Sequence, residues 1–293
     1  DLSIHYFKLP KTGILDTFIK LIENVQEDFV CFCGDDDFQV PQALTLCETF
    51  LKAHEDYASA KGKAVHFSLR HPNPRDTLHS VENYPMLPIE NDRAGDRLKN
   101  YFSSYHCNLF SVTRKTIFAE GLMRAQLAAD KAFADELIPS AFTIAAGKSK
   151  QLDILQFARE GFAGDPKLKN ILPTGVNWLS KDIWPASYKV FQTALADQVS
   201  HLDGVDMEEA RRVVDQAFSQ YITGVLKKMT LSPNAPGPSL KDSVKKWIPG
   251  LVRIHKRIRS QKARKLGCSE PIIEWVHLYP EFGRLSQMVS AKV

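Results

Sequence analysis

The chain has 293 residues, 44% of them hydrophobic and 25% charged, and a net charge of +4. This is the make-up of an ordinary globular protein with ample apolar material for a core, which excludes a disordered, collagen-like or disulfide-stapled chain. No stretch of about 18 consecutive apolar residues occurs, so no transmembrane helix is expected.

Leu2-Ser3-Ile4-His5-Tyr6-Phe7 alternates and is rich in strand formers, which predicts a strand. The chain opens on Asp1 without a methionine or a signal peptide and enters that strand almost at once, so it is expected to begin partway through a domain. Leu15, Phe18, Ile22 and Val25 form one helical stripe. Phe29 to Cys33 is a continuous apolar run, the pattern of a strand buried on both faces. Strand, helix and strand together predict a βαβ unit with a parallel sheet and a right-handed crossover.

Three carboxylates follow in "CGDDDF", Asp35, Asp36 and Asp37. Like charges this close resist joint ionisation. Asp35 and Asp37 flank one residue, and a D-x-D at the carboxyl end of a strand presents hard oxygen ligands to Mn²⁺ or Mg²⁺ where α/β sheets bind ligands. Such a cation stabilises a diphosphate as a leaving group. The same residues also fit a solvated acidic turn. Pro41 then opens a helix through about Ala53, with Leu44, Cys47 and Leu51 on one face.

Ala64 to Leu69 reads as a strand, and residues 70 to 95, with prolines at 72, 74, 85 and 88, as a long irregular loop. Arg70, His71 and Arg75 lie there within reach of an acceptor, or are simply solvated. Leu109 to Thr113 is a short strand candidate. Residues 127 to 146 look helical, with Pro139 expected to limit or kink the segment. Beyond about residue 165 the pattern is mostly helical. Asp206 and Glu209 have capping-box spacing before a helix that turns Ala210, Val213, Val214, Ala217, Phe218, Tyr221 and Val225 inward. Residues 232 to 240 are a Pro/Ser-rich linker.

Residues 241 to 265 carry ten Lys/Arg and one Asp, so the rest of the chain is slightly acidic. With Trp247, Ile248, Leu251, Val252, Ile254 and Ile258 interleaved, this segment suits an anionic membrane surface, or packing by its apolar stripe against the fold. Nucleic acid is the least favoured partner, since no recognition motif accompanies it. The five cysteines, at 31, 33, 47, 107 and 268, are scattered and odd in number, which suits a reducing compartment. Cys31 and Cys33 read as buried thiols of one strand face rather than a metal half-site.

"FVCFCGDDDFQVPQAL" resembles the metal-binding stretch of inverting nucleotide-sugar glycosyltransferases of the GT-A fold, glycosyltransferase family 2-like. More closely, the chain resembles a bacterial subgroup with "DDDF" followed by Phe50-Leu51, Asp56-Tyr57, Ala60 and Gly62, then "NLFSVTRKTIF" (108 to 118), "FADEL" (133 to 137) and "GKSKQLDILQFAREG" (147 to 161). The resemblance covers roughly residues 1 to 165 and implies an α/β, GT-A-like (Rossmann-like) fold. The sheet would be mostly parallel and flanked by helices, with a helical region over 166 to 231, the linker, and a basic amphipathic segment over 241 to 293. It implies that Asp35 faces the nucleotide or metal, that Asp37 ligates the metal and that Asp36 helps. It also implies a general base on a helix about a hundred residues later, Glu136 first and Asp135 second, because a sugar hydroxyl is a poor nucleophile until a carboxylate takes its proton. Both also suit a solvated helix face, with Phe133, Leu137 and Ala141 buried. Arg159 matches a family arginine that contacts diphosphate, and a guanidinium fork fits a phosphate, though a surface ion pair fits as well. Lys148 is either a phosphate contact or a helix-terminal cation.

Family members open with a strand and turn that hold the base, whereas this chain starts at what looks like a later element, so weak donor binding is expected. The implied activity is transfer of a sugar from a nucleotide-sugar to a hydroxyl acceptor of a bacterial surface or lipid-linked glycan, in the cytoplasm or at the inner face of the plasma membrane. A nucleotidyltransferase with the same acidic site and a non-catalytic membrane-surface binding protein are the rival readings.

Overall fold

The computed structural model describes residues 4–10, 13–70, 77–160 and 178–231. The linker, the basic segment, His71, Arg75 and the boundary near residue 165 lie outside the described residues. Among those described, no helix is long and apolar enough to cross a membrane.

The protein is α/β. In chain order it runs α1 (Ile14–Ile22), β1 (Phe29–Val30), β2 (Phe38–Gln39), α2 (Pro41–Ala53), β3 (Tyr57–Arg70), β4 (Thr77–Tyr84) and α3 (Ala94–Ser103). It continues with β5 (Val112–Arg114), α4 (Lys115–Ala125), a π turn (Phe133–Leu137), α5 (Ile138–Ala146), β6 (Lys148–Glu160), α6 (Trp184–Asp203) and α7 (Met207–Leu231). The six strands form one sheet in the order β1-β5-β3-β6-β2, with β4 paired to the far part of β3.

The sheet is mixed, and here the expectation of a mostly parallel sheet is corrected. Only β3 and β6 run parallel, while β1/β5, β2/β6, β3/β4 and β3/β5 are antiparallel. The strand expected at residues 2 to 7 is also not formed over its described part. Ile4–Pro10 is neither helix nor strand, and Ile4 and Tyr6 are each 85% exposed. Alternation makes a segment compatible with a pleated sheet, but a strand forms only against a neighbouring edge. The "loop" over 70 to 95 is corrected too, because β4 occupies Thr77–Tyr84 and pairs with β3 from Ala64 onward. The prolines bracket that strand rather than interrupt it, which is where a residue without an N–H is tolerated.

The helices follow their sequence signals closely. α2 starts on Pro41, which needs no N–H partner at a first helical position, and buries Ala43, Cys47 and Leu51. α1 buries Leu15 and packs Phe18 and Ile22 against the core. Asp206 caps α7 by accepting the backbone N–H of Glu209 at 2.8 Å. α6 ends on Gly204, whose φ of 66° is a left-handed conformation that glycine adopts without a β-carbon clash. α3 is capped from a distance: Asp203, at the end of α6, accepts the N–H groups of Ala94 and Gly95 at 2.7 and 2.9 Å.

Pro139 acts as expected, by a specific route. It cannot donate to the carbonyl of Asp135, and its ring crowds that carbonyl. The helix widens into the π turn immediately before it. One apolar cluster runs from the sheet side (Phe110, Phe157) through α5 (Ile138, Phe142) to α6 and α7 (Phe191, Phe218).

Candidate active site

The acidic turn sits in the crossing segment between β1 and β2, which lie at opposite edges of the sheet. A buried amide ties that segment down. Gln156 of β6 donates to the carbonyl of Phe110 at 2.8 Å and to Gln39 Oε1 at 3.1 Å, and accepts the N–H of Gly62 at 2.6 Å. Gln39 in turn donates to the carbonyl of Phe32 at 3.1 Å. Buried polar groups are costly unless satisfied, so this knot fixes where the segment runs.

The segment then turns back on itself over Gly34–Asp37, the N–H of Asp37 reaching the carbonyl of Gly34 at 3.3 Å. Gly34 is small for a reason. A β-carbon there would lie 2.8 Å from Asp37 Oδ2 and 3.0 Å from Asp36 Oδ1. The structure therefore groups Asp36 with Asp37 over one glycine, and leaves Asp35 exposed at the tip. Burial and the charge of Asp36 push the Asp37 carboxyl upward, while Arg159 and the backbone of Glu160 and Gly34 pull it back. Asp37 Oδ1 is buried with no hydrogen-bond partner. An orphaned buried carboxylate oxygen beside a second carboxylate suits a hard divalent cation. Among the described residues no group of three or more His, Cys, Asp and Glu side chains can hold a metal by itself. The donor set thus fits a cation that takes its remaining ligands from water and phosphate, as Mg²⁺ commonly does.

Arg159 stands next to this turn because Phe38 and Ala158 are register partners in the β2/β6 pair. Its guanidinium lies 5.0 Å from the ring centre of Phe110 and 5.9 Å from that of Tyr84, whose hydroxyl it approaches at 3.5 Å. His66, its register partner on β3, packs against Tyr84 with ring centres 4.8 Å apart. Burial and the charge of Arg159 push the His66 imidazole down, so it is neutral at pH 7.

The π turn directs its two carboxylates to different places. Asp135 faces α1, where it accepts the backbone N–H of Leu15; burial raises its carboxyl, and Lys131 and that N–H offset the rise. Glu136 faces the sheet side and accepts the Tyr105 hydroxyl at 2.7 Å. Its charge raises Tyr84, Cys107 and Tyr105 further, in addition to their burial. Arg159 acts on Tyr84 and Cys107 in the opposite sense. Tyr84 and Cys107 therefore lie between Arg159 and Glu136. Phe133, Leu137 and Ala141 are buried, as the helical spacing suggests.

Two further expectations are corrected. Lys148 lies at the opposite end of β6 from Arg159, roughly 36 Å away at about 3.3 Å per residue. It is neither at a helix end nor free for phosphate, since it pairs with Asp56 at 3.2 Å and Asp92 at 2.8 Å. Cys33 is exposed, with Sγ 3.6 Å from the carbonyl of Asp37, because the chain has left the sheet before reaching it. Cys31 is half-buried and donates to the carbonyl of Phe110 at 3.2 Å.

Sequence reasoning missed Tyr84, His66, Tyr105 and Gln156. The alternation of "TLHSVENY" was a usable signal for β4, and hence for Tyr84. Nothing local marks Gln156, whose partners are 46 to 117 residues away. No protein-family model matches the chain, and no curated protein matches it. The functional reading rests on the residues themselves.

Proposed function

We propose that the chain is a metal-dependent, inverting glycosyltransferase that moves a sugar from a nucleotide-sugar to a hydroxyl acceptor of a bacterial surface or lipid-linked glycan, and that its mixed sheet is GT-A-like. The observation that carries this reading is the position of Arg159, a cation in charge contact with Asp37 on one side and, through Tyr84 and Cys107, neighbouring Glu136 on the other. Acidic cluster, phosphate-type cation and candidate base thus belong to one region.

Asp36 and Asp37 hold the divalent cation, Mn²⁺ or Mg²⁺, with Asp35 as an exposed outer donor. When bound, that cation neutralises charge on the departing nucleoside diphosphate. Arg159 pairs with the diphosphate as a planar fork. Glu136, oriented by the Tyr105 hydroxyl, takes the proton of the acceptor hydroxyl as it attacks. Asp135, engaged with the start of α1, is a support for the helix start rather than the base. One base and one in-line displacement invert the anomeric carbon.

The test is Mn²⁺-dependent turnover across a panel of nucleotide-sugars. Loss of turnover in Asp36→Asn/Asp37→Asn and in Glu136→Gln, with Asp135→Asn retaining it, is the expected result. Turnover that survives the double substitution would sink the proposal.

A further inference from the structure

Lys61 of β3 has no solvent exposure. Its Nζ lies 3.0 Å from His106 Nε2 and 3.0 Å from Asn108 Oδ1. Asn108 Oδ1 also accepts the Ser111 hydroxyl at 3.0 Å, and Asn108 Nδ2 reaches Ser59 Oγ at 3.5 Å, which donates to Ser149 at 2.9 Å. The titratable groups facing Lys61 are His106 and Cys107, both on the segment after α3. β6 brings Ser149 and α5 brings Ser140 to the network, neither of them charged. No carboxylate contacts the amine.

The count of donors decides its state. Two acceptors match the two N–H groups of a neutral amine, whereas an ammonium would bury a third N–H without a partner. His106 is consistent with this: Nδ1 lies 3.3 Å from the carbonyl of Ser104, so that nitrogen donates and Nε2 is free to accept. Burial pushes the Lys61 amine down to about 7 and the His106 imidazole to about 3.

The segment held this way is the one that carries Tyr105. Lys61 grips residues 106 and 108, Tyr101 donates to the carbonyl of His106 at 2.6 Å, and Tyr105 donates to Glu136. We infer that Lys61 is a positioning residue: as a neutral amine it fixes the Tyr105–Asn108 segment, and its protonation releases the hydroxyl that orients Glu136. This rests on the reading of Glu136 as the base, but its first test does not.

The experiment follows the Lys61 Cε and the Glu136 carboxyl carbon by ¹³C NMR from pH 5 to 10. Lys61 is expected to titrate near neutrality, and Glu136 to show a matching inflection in addition to its own acidic one. Lys61→Met removes that neutral inflection. Asn108→Asp, a near-isosteric change that places a carboxylate beside Nζ, removes it as well and covers the case in which Lys61→Met fails to fold. Tyr105→Phe leaves the Lys61 titration in place and abolishes its echo at Glu136. A Lys61 signal titrating near the ordinary 10.5 overturns the inference, and so does a Glu136 inflection that persists in Lys61→Met or Tyr105→Phe. In turnover, kcat loses its neutral step in Asn108→Asp while the donor KM stays within about twofold. No turnover in any variant, with the NMR behaviour intact, would count against the glycosyltransferase reading alone.

Discussion

A neutral buried lysine makes stability rise with pH over a range where most proteins are flat. In the unfolded chain Lys61 holds its proton up to its ordinary value of 10.5, whereas in the folded protein it releases it at about 7. Between those values the unfolded state binds one more proton, so the stability of the fold increases with pH. Below about 7 both states are protonated and this contribution is gone. From pH 7 to 9 the gain integrates to about 2 kcal/mol, at about 1.4 kcal/mol per pH unit once the native amine is fully neutral. The upper limit of the window is set by other groups. Burial raises Cys31, Cys33, Cys47 and Cys107 above their ordinary 9.0, so above pH 9 the unfolded thiols ionise and stability falls again. The lower limit is set by His66 and His106, both pushed below their ordinary 6.5 by burial, whose effect is complete by neutrality. Urea titrations under reducing conditions at pH 7, 8 and 9, read by tryptophan fluorescence, measure the slope. Wild-type protein should gain about 2 kcal/mol across the range and Lys61→Met should be flat within about 0.5 kcal/mol. A flat or falling wild-type profile, or an unchanged slope in Lys61→Met, refutes the reasoning. The slope is the readout because the substitution also strands His106 Nε2.

Asp203→Ala removes the acceptor of two backbone N–H groups at the start of α3 and should cost about 2 kcal/mol in chemical denaturation. Gly34→Ala places a methyl 2.8 Å from Asp37 Oδ2, a flexible carboxylate end, so calorimetry should show weaker Mn²⁺ binding with little change in thermal midpoint. Arg159→Met should weaken nucleoside diphosphate binding at least about tenfold, and Arg159→Lys, which keeps the charge but not the fork, should recover only part of it. Equal affinities in all three proteins would remove Arg159 from the site.

The sequence carried the helices well because their signals are local: Pro41 at a helix start, the 3.6-residue stripes of α1 and α7, and Asp206 three residues before Glu209. It carried the sheet poorly because strand pairing is not local. Alternation in Leu2–Phe7 and in Thr77–Tyr84 looks alike, yet only the second has a partner, and direction depends on which edges meet. Of the site residues, Asp37, Arg159 and Glu136 were legible as charged groups at motif positions. Their supports were not, because Tyr84, Tyr105 and Gln156 act through contacts 31 to 117 residues apart in the chain.

The π turn before Pro139 acts as a phase shifter. An α-helix advances about 100° per residue, so one extra residue in a turn rotates everything beyond it by about that angle. Two neighbouring acids on an unbroken helix would share one flank and one environment. Across this slip, Asp135 is committed to the start of α1 and Glu136 to the hydroxyl of Tyr105. A proline three positions downstream thereby decides which of two adjacent carboxylates is left for chemistry, without touching either.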